Sequence, residues 1–311
     1  MGKVQRSSSI IPLRGVIPPL VTPLQDTDTL DQAGLQKLIE HVLSGGVSGL
    51  FLLGTTGEGP GLSKRLQREM VRLSCQLTNR RVPVLVGISN PSFTESLELA
   101  EYSAACGADA VVLAPPYYFP AGQAELLEYL EHLAPLLPLP LFLYNMPAMT
   151  KIDISEETLL RAGDIANIIG FKDSSGNMIR FHEYLRVMQQ RPDFSLLMGP
   201  EELLAEAVLF GGHGGIAGGA NLHPRLFVNL YEAAARQDLP TVLCLQQEVY
   251  RLRRLYQCGQ HASTFIKGLK CALKILGICN DCMTEPFQAF RAPGREQVLS
   301  ILLNSGLLSE N

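Results

Sequence analysis

The sequence has no excess of positive charge. Its 26 lysine and arginine residues are outnumbered by 30 aspartate and glutamate residues, which gives a net charge of −4 and a pI of about 5.9. Proteins that bind nucleic acid or anionic lipid surfaces present a concentrated basic patch. We therefore expect neither nucleic acid nor a membrane surface among the partners of this protein.

The sequence also lacks a long apolar run. No uninterrupted apolar stretch approaches the length needed to span a bilayer. The first residues, MGKVQRSSSIIPL, have neither the apolar core nor the small-residue cleavage site of a secretory signal. We interpret residues 1–12 as a flexible N-terminal arm and expect a cytoplasmic protein.

The cysteines and histidines lack the spacing of a disulfide framework or a metal site. The seven cysteines are an odd number and are scattered, which is typical of free thiols in a reducing compartment. Cys279 and Cys282 form a C-x-x-C pair, but no second pair and no histidine accompanies them. The six histidines are dispersed, without ligand spacing. The sequence therefore predicts no metal.

Short apolar runs alternate along the chain with longer segments of helical periodicity, in which apolar residues recur at i, i+3, i+4 and i+7. The predicted strands are 15–23, 49–54, 82–88, 109–115, 139–147, 167–173, 194–199 and 214–218. Alternating strands and helices indicate a parallel sheet, and eight such units can close into a barrel. We predict an α/β fold, a (β/α)₈ TIM barrel, over residues 13–238.

A doubly wound open sheet is the competing architecture. It normally carries a glycine-rich dinucleotide turn after the first strand, and the corresponding segment VTPLQDTDTL has no glycine. Three further helical segments, 240–257, 262–277 and 294–306, exceed what a barrel needs. They predict a small C-terminal helical extension over residues 239–311.

Lys172 is the most informative polar residue of the predicted strands. In a barrel of this kind the functional residues lie at the carboxyl ends of the strands, and Lys172 ends the sixth. Side chains alternate along a strand, so Lys172, Gly170 and Ile168 should share one face. If that face points inward, an apolar lumen disfavours the ammonium ion, and a partly neutral amine can attack a carbonyl carbon. The alternative is a lysine that reaches solvent and pairs with Asp173.

Tyr144 and the GTTGEG loop favour the first interpretation. Tyr144 ends the fifth strand, beside Lys172, where a phenol can move the protons that imine formation requires. The loop at 54–59 offers hydroxyl groups and closely spaced backbone N–H groups, which suit a small carboxylate. It lacks the ending of a phosphate-binding loop. Together these features indicate an enzyme that forms an imine with an oxo acid. Asp173 and Glu58 are interpreted as structural partners of loop N–H groups.

Five motifs of this sequence resemble those of the dihydrodipicolinate synthase/N-acetylneuraminate lyase family of pyruvate-dependent class I aldolases. The resemblance extends from residue 15 to about residue 305. It rests on GTTGEG (54–59), GADAVVLAPPYY (107–118), YNMP (144–147), IIGFKDSSGN (168–177) and GGHGGIAGGAN (211–221).

The resemblance implies that Lys172 forms the Schiff base, Tyr144 shuttles protons and Thr55 relays them. Tyr118 is then a catalytic tyrosine lent to a neighbouring subunit across a dimer interface. The substrate-binding residues implied in the same way are Thr55, Thr56, Gly57, Ile216, Met149 and Gly199. The partners are pyruvate or another 2-oxo acid and an aldehyde, the assembly is a homotetramer built as a dimer of dimers, and no cofactor is implied.

One departure from the family pattern concerns the second substrate. Synthases of lysine biosynthesis typically continue the tyrosine motif as Asn-x-Pro-x-Arg-Thr, and that arginine grips the carboxylate of the aldehyde. Here Met149 stands in its place and cannot bind a carboxylate. The expectation is therefore a lyase acting on a 2-keto-3-deoxy sugar acid or a hydroxy-oxo acid. The alternatives are 4-hydroxy-tetrahydrodipicolinate (dihydrodipicolinate) synthase itself and a non-catalytic barrel that binds a small acid.

Overall fold

The protein is built around eight parallel strands. A computed structural model describes residues 12–308. The strands are β1 Gly15–Val16, β2 Leu50–Leu52, β3 Val84–Gly87, β4 Ala110–Leu113, β5 Leu141–Asn145, β6 Ile168–Asp173, β7 Ser195–Met198 and β8 Gly214–Gly215. Each pairs with its neighbour in sequence except β1, which pairs with β8. Backbone hydrogen bonds from Leu20 to Phe51 and from Phe51 to Pro18 close the ring between β1 and β2. The predicted (β/α)₈ barrel is confirmed.

Helices follow the strands and surround them. Those of the barrel are α1 Gln32–Ser44, α2 Lys64–Thr78, α3 Phe93–Cys106, α4 Gln123–Leu133, α5 Pro147–Thr150, α6 Glu156–Gly163, α7 Met178–Gln190, α8 Leu204–Leu209 and α9 Pro224–Ala235. Several begin at a side chain that caps free backbone N–H groups. Ser63 accepts from the Leu66 N–H before α2, and Asn177 accepts from two N–H groups before α7.

Three more helices complete the described chain: α10 Leu239–Arg253, α11 Thr264–Ile275 and α12 Ala292–Asn304. They match the three helical segments expected beyond the barrel. Helix α10 packs on α9, and α11 contacts α12. The predicted boundary at residue 238 remains a prediction, and all but the last residue of the predicted arm at 1–12 lies outside the described residues.

The barrel separates two apolar cores. One fills the space between strands and helices, and Phe171 belongs to it through its edge contact with Tyr184 of α7. The other lies inside the ring of strands and includes Phe51, Phe142 and Ile216. Both faces of every strand are covered, which explains why the strands read as continuous apolar runs rather than alternating ones.

The predicted alternation along β6 is wrong at its first residue. A register shift opposite Leu141 and Phe142 leaves one extra residue in β6, so Ile168 faces the helices and Ile169 faces the lumen. Such a bulge resets the alternation of side chains. Gly170 then faces inward, since a Cβ there would meet the Phe142 ring at 2.3 Å, and the inward direction of Lys172 is preserved.

No helix among residues 12–308 is long and apolar enough to cross a membrane.

Candidate active site

Lys172 lies inside the barrel at the carboxyl end of β6. Its residue is only 5% exposed. Its Nζ atom is 3.8 Å from the centroid of the Tyr144 ring and 5.1 Å from that of Phe51. Tyr144 is its register partner on β5, so the backbone pairing of the two strands brings the amine and the phenol together. The electron-rich ring faces stabilise the amine when it is charged.

Tyr144 connects Lys172 to the GTTGEG loop. Its hydroxyl lies 3.2 Å from Thr55 Oγ1. Burial raises the pKa of this phenol. The nearby charge of Lys172 and hydrogen bonds with Thr55, Lys172 and Ser174 act in the opposite direction and outweigh burial, so that the pKa of Tyr144 is lowered. A phenol of lowered pKa gives up its proton more readily, which suits a group that shuttles protons.

The GTTGEG loop presents two of its three predicted residues to the lysine. Thr55 and Thr56 line the same cavity as Lys172. Gly57 does not line it. A Cβ on Gly57 would lie 2.8 Å from the carbonyl oxygen of Leu20, and its own carbonyl accepts from Thr22 Oγ1 at 2.7 Å. Glycine at this position lets the loop pack closely against the chain that follows β1.

The cavity at Lys172, here called the inner lobe, has a volume of about 240 Å³. The predicted residues that line it are Lys172, Tyr144, Thr55, Thr56, Gly199 and Ile216. Gly199 leaves room for the Ser174 hydroxyl, which would lie 1.9 Å from a Cβ at that position. An amine, a phenol and two hydroxyl groups therefore surround a space that can hold a small oxo acid.

A second cavity, here called the outer lobe, adjoins the first and has a volume of about 370 Å³. The two lobes share four lining residues: Thr55, Tyr144, Met146 and Phe265. Met149 lines the outer lobe and is 46% exposed. The structure thus places Met149 beside the reactive groups but not in contact with the lysine cavity.

Tyr118 is not part of the site within its own chain. It is 85% exposed, lines neither lobe and stacks edge-on against the exposed Phe119 ring at 5.1 Å. Its φ of 85° is rare for a non-glycine residue and turns the chain outward after β4. The preceding Tyr117 lines the outer lobe instead.

Sequence reasoning missed Glu201 and Tyr256, which lie together on the wall of the inner lobe. Glu201 Oε1 accepts from the Tyr256 hydroxyl at 2.7 Å, and Oε2 accepts from the Gly219 N–H at 2.5 Å. Burial raises the pKa of Glu201 to about 7, against the opposing hydrogen bonds. No local signal joins these residues, because Tyr256 comes from the 3₁₀ turn Arg254–Gln257 that follows α10.

The two carboxylates interpreted as structural partners do bind loop N–H groups. Asp173 Oδ1 accepts from Ser175 N at 3.0 Å and from Asn145 Nδ2 at 3.0 Å. Glu58 Oε2 accepts from Thr284 N at 2.9 Å, while its other oxygen pairs with the buried Lys270. Asn145 and Asp173 are register partners that follow Tyr144 and Lys172, so their bond holds the two strand ends together.

No group of three or more His, Cys, Asp or Glu side chains that could hold a metal ion occurs within residues 12–308.

A sequence model described as the dihydrodipicolinate synthetase family matches residues 12–304. A 4-hydroxy-tetrahydrodipicolinate synthase of Chelativorans sp. (strain BNC1) is 34% identical over 304 residues, covering 95% of this chain and 99% of the relative. A probable 2-dehydro-3-deoxy-D-pentonate aldolase of Escherichia coli (strain K12) is 31% identical over 266 residues, covering 85% of this chain and 87% of the relative.

Solved structures of the same family are also similar to this chain. A dihydrodipicolinate synthase from Bacteroides thetaiotaomicron is 52% identical, with a TM-score of 0.92 over 94% of this chain and 99% of the other. An Escherichia coli K12 prophage protein of the dihydrodipicolinic acid synthase family, solved in complex with pyruvate, is 29% identical, with a TM-score of 0.90 over 96% of this chain and 100% of the other.

Proposed function

The chain belongs to the dihydrodipicolinate synthetase family and is a lyase, and from this premise we propose that it forms a Schiff base between Lys172 and pyruvate or another 2-oxo acid. The observation that carries this proposal is the position of Lys172. It is a buried amine inside the barrel, within reach of one phenol and lining a cavity suited to a small acid.

The reaction begins with attack of the Lys172 amine on C2 of the oxo acid. Tyr144 donates a proton to the departing oxygen, water leaves, and the resulting iminium withdraws electrons from C3. Tyr144 is left as a phenolate that can accept the next proton, and Thr55, 3.2 Å from its oxygen, relays protons to and from it. The same iminium supports cleavage of a C3–C4 bond, its formation, or loss of water from C4.

The substrate carboxylate is assigned to the GTTGEG loop. Thr55 and Thr56 face the inner lobe, and a turn of this kind presents backbone N–H groups and hydroxyl groups to an anion. Ile216 and Gly199 line the same lobe and carry no polar side-chain atoms, which suits the C3 methyl group of pyruvate.

Reductive trapping tests the proposal. Borohydride added in the presence of pyruvate should attach one reduced pyruvate to Lys172, as located by peptide mass spectrometry, and Lys172→Ala should acquire none. The matched control is Lys37→Ala, which removes a lysine of α1 that lines neither lobe, and this variant should be labelled as the wild type is. An adduct on another lysine would overturn the assignment.

We propose a 2-keto-3-deoxy sugar acid or a hydroxy-oxo acid as the substrate class. Condensation of pyruvate with aspartate semialdehyde is the second candidate, favoured by the names of several relatives. It requires a partner for a second carboxylate, and Met149 supplies none. A coupled assay with aspartate semialdehyde distinguishes the two. A non-catalytic barrel that binds a small acid would show binding without a trapped adduct.

We also propose a homotetramer in which Tyr118 completes the site of a neighbouring subunit, and a cytoplasmic location. The exposure of Tyr118 and its turn away from its own cavity support the first of these.

A further inference from the structure

The end of β5 that carries Tyr144 is paired with a neighbouring strand on one side only. Strand pairing between β4 and β5 stops at Leu143, whereas pairing between β5 and β6 continues to Asn145. Tyr144 therefore extends beyond the last residue of β5 that is paired with β4. Its position relative to Lys172 depends on how firmly the last residues of β5 are held against β6.

The side chain of Asn145 connects this strand end to its surroundings. Asn145 follows Tyr144 directly, so its side chain lies on the opposite face of β5, where it is completely buried. Its Nδ2 donates to Asp173 Oδ1 at 3.0 Å and to Asp153 Oδ1 at 2.9 Å, and its Oδ1 accepts from the Ile154 N–H at 3.0 Å. One amide thus joins β5 to β6 and to the segment between α5 and α6.

The surroundings of Asn145 explain why an asparagine stands at this position. Burial is the main cause that raises the pKa of the Asp173 carboxyl, and the like charge of Asp153 adds to it. An asparagine amide supplies two N–H donors and one acceptor oxygen, so it can bond to both carboxylates and to a backbone N–H at once. A carboxylate or an apolar side chain here would leave buried polar groups without partners, which is costly.

We propose that Asn145 and Asp173 are positioning residues, whose hydrogen bond on the helix-facing side of the two strand ends holds Tyr144 against Lys172 on the lumen side. The four residues form two register pairs at consecutive positions, Tyr144 with Lys172 and Asn145 with Asp173. Lys172 changes its bonding during the reaction, so the lumen-side contact alone does not fix the geometry. This inference rests on the proposed Schiff base, and it gives neither positioning residue a contact with the substrate.

The lumen-side pair requires accurate placement. The Lys172 amine lies 3.8 Å from the centroid of the Tyr144 ring, and the Tyr144 hydroxyl lies 3.2 Å from Thr55 Oγ1. Displacing reacting groups by about 1 Å can lower a rate roughly 100-fold. Loss of the bond between Asn145 and Asp173 should therefore slow imine formation. Binding of pyruvate, whose carboxylate is assigned to the GTTGEG loop, should change little.

Two substitutions of Asp173 separate the hydrogen bond from the charge. Asp173→Ala removes the acceptor on β6 but leaves the bonds of Asn145 to Asp153 and Ile154 in place. Asp173→Asn removes the same charge and keeps an oxygen that accepts from Asn145. In Asp173→Ala we expect the rate of borohydride trapping at saturating pyruvate to fall roughly 10- to 100-fold, while the pyruvate concentration that gives half of this rate stays close to that of the wild type. Asp173→Asn should restore the trapping rate.

Ionisation of Tyr144 reports the same geometry without any substrate. Burial raises the pKa of this phenol, and the charge of Lys172 is the largest of the causes that outweigh burial. If the ring moves away from the amine, this pKa should rise towards its ordinary value of about 10. Loss of the Asp173 charge alone would lower it instead. The ultraviolet absorbance of tyrosinate, titrated with Tyr144→Phe as the baseline, should show the rise in Asp173→Ala and not in Asp173→Asn.

Asn167→Ala is the matched control. Asn167 lies directly before β6, at the other end of the same strand pair, and its Nδ2 donates to the carbonyl oxygens of Ala134 and Leu139 at 2.9 and 3.0 Å. Removing this amide should lower the midpoint of urea denaturation. The trapping rate and the Tyr144 titration should both remain as in the wild type.

The outcomes distinguish this inference from the proposed function. A wild-type trapping rate and a wild-type Tyr144 titration in Asp173→Ala would overturn the inference, as would an equal effect of Asn167→Ala. An Asp173→Asn variant as slow as Asp173→Ala would assign the effect to the charge and overturn positioning by the hydrogen bond. If the wild type formed no pyruvate adduct, the Schiff base would be overturned, whereas the Tyr144 titration would still support or contradict the role of Asp173 in placing the phenol.

Discussion

At the scale of single residues, the pair formed by Tyr144 and Lys172 determines what the site can do. The phenol is buried, its ring lies 3.8 Å from the amine, and the lysine charge helps to lower its pKa despite burial. A tyrosine in solution is too weak an acid to give up its proton readily near neutral pH. The lysine therefore makes its neighbour a better proton donor for the imine that it is to form.

Replacing Tyr144 tests this coupling. Tyr144→Phe keeps the ring against Lys172 but removes the proton carrier, and positioned acid–base groups contribute roughly 10²–10⁴-fold to rates. We expect kcat to fall by that order and the rate of borohydride trapping to fall with it, while the melting temperature changes little. Wild-type kcat in this variant would exclude Tyr144 as the proton shuttle.

Glu201 supplies a prediction about pH. Its pKa is raised from 4.5 to about 7 in the folded state by burial, so the folded protein binds more protons than the unfolded chain between these values. Stability is fully retained below pH 4.5, falls as the pH rises towards 7, and is level above it. At about 1.4 kcal/mol per pKa unit the loss is at most about 3 kcal/mol.

Urea denaturation at pH 5 and pH 8 measures this loss. In Glu201→Gln, which keeps an acceptor for the Tyr256 hydroxyl but cannot ionise, the difference between the two pH values should shrink by most of that amount. A pH dependence identical to that of the wild type would show that Glu201 does not titrate as its burial indicates.

The sequence predicts contacts between those site residues that lie at the ends of neighbouring strands. Lys172 and Tyr144 end neighbouring parallel strands, so their contact follows from the fold alone. Glu201 and Tyr256 are 55 positions apart and meet because α10 folds back over the barrel, which no local pattern indicates. Gly57 stays a predicted binding residue, and its packing contact with the chain after β1 could not be predicted from its motif.

At the scale of elements, the predicted alternation of side chains along β6 agrees with the structure near Lys172 and differs from it at Ile168, the first residue of the strand. Lys172 and Gly170 share the inward face, but the extra residue in β6 rotates Ile168 outward. A bulge is a property of the pairing between two strands, so the sequence of one strand does not reveal it. The predicted first and eighth strands, 15–23 and 214–218, are longer than the observed β1 and β8, which have two paired residues each. Strand length, like a bulge, depends on pairing with a neighbouring strand.

The contact between Lys270 of α11 and Glu58 joins an outer helix to the GTTGEG loop. Both side chains are almost completely buried, at 0% and 2% exposure. Breaking a buried pair by removing one partner typically costs about 3–5 kcal/mol, because the remaining charge is left without compensation. Lys270→Met should therefore destabilise the protein by an amount of that order, measured by urea denaturation.

A double-mutant cycle with Glu58→Gln completes this test. The doubly substituted protein should lose less stability than the sum of the two single variants, because no buried charge is left unpaired. Trapping of pyruvate should slow in Lys270→Met, since Thr55 lies on the same loop as Glu58. Additive effects of the two substitutions would show that the ion pair is not a single unit.

At the scale of the whole molecule, the barrel could be predicted because its pattern repeats. Eight apolar runs separated by helical segments leave few alternatives, and closing the ring removes the exposed sheet edges. The ring closes through backbone bonds of Phe51 with Pro18 and Leu20, in a segment with no regular strand assignment. Such a closure depends on the whole ring and has no local signature.

The proposed homotetramer can be tested by measuring the mass of the protein in solution. Light scattering should report about four times the 34.0 kDa of the single chain. Tyr118→Phe should keep that mass and lose activity, and mixing it with Lys172→Ala should restore part of the activity. Subunits of mixed tetramers would then combine an intact lysine with an intact tyrosine. A monomer that is fully active would contradict the lent tyrosine.

The helices beyond residue 238 contribute Tyr256, Phe265 and the counter-ion of Glu58 to a cleft whose amine belongs to the barrel. The reacting amine thus belongs to the barrel, while the walls of the cleft are shared between the barrel, which contributes Met149, and the helices that follow it. Substitutions in the last quarter of the chain can therefore change which aldehydes the enzyme accepts while the reaction at Lys172 stays the same.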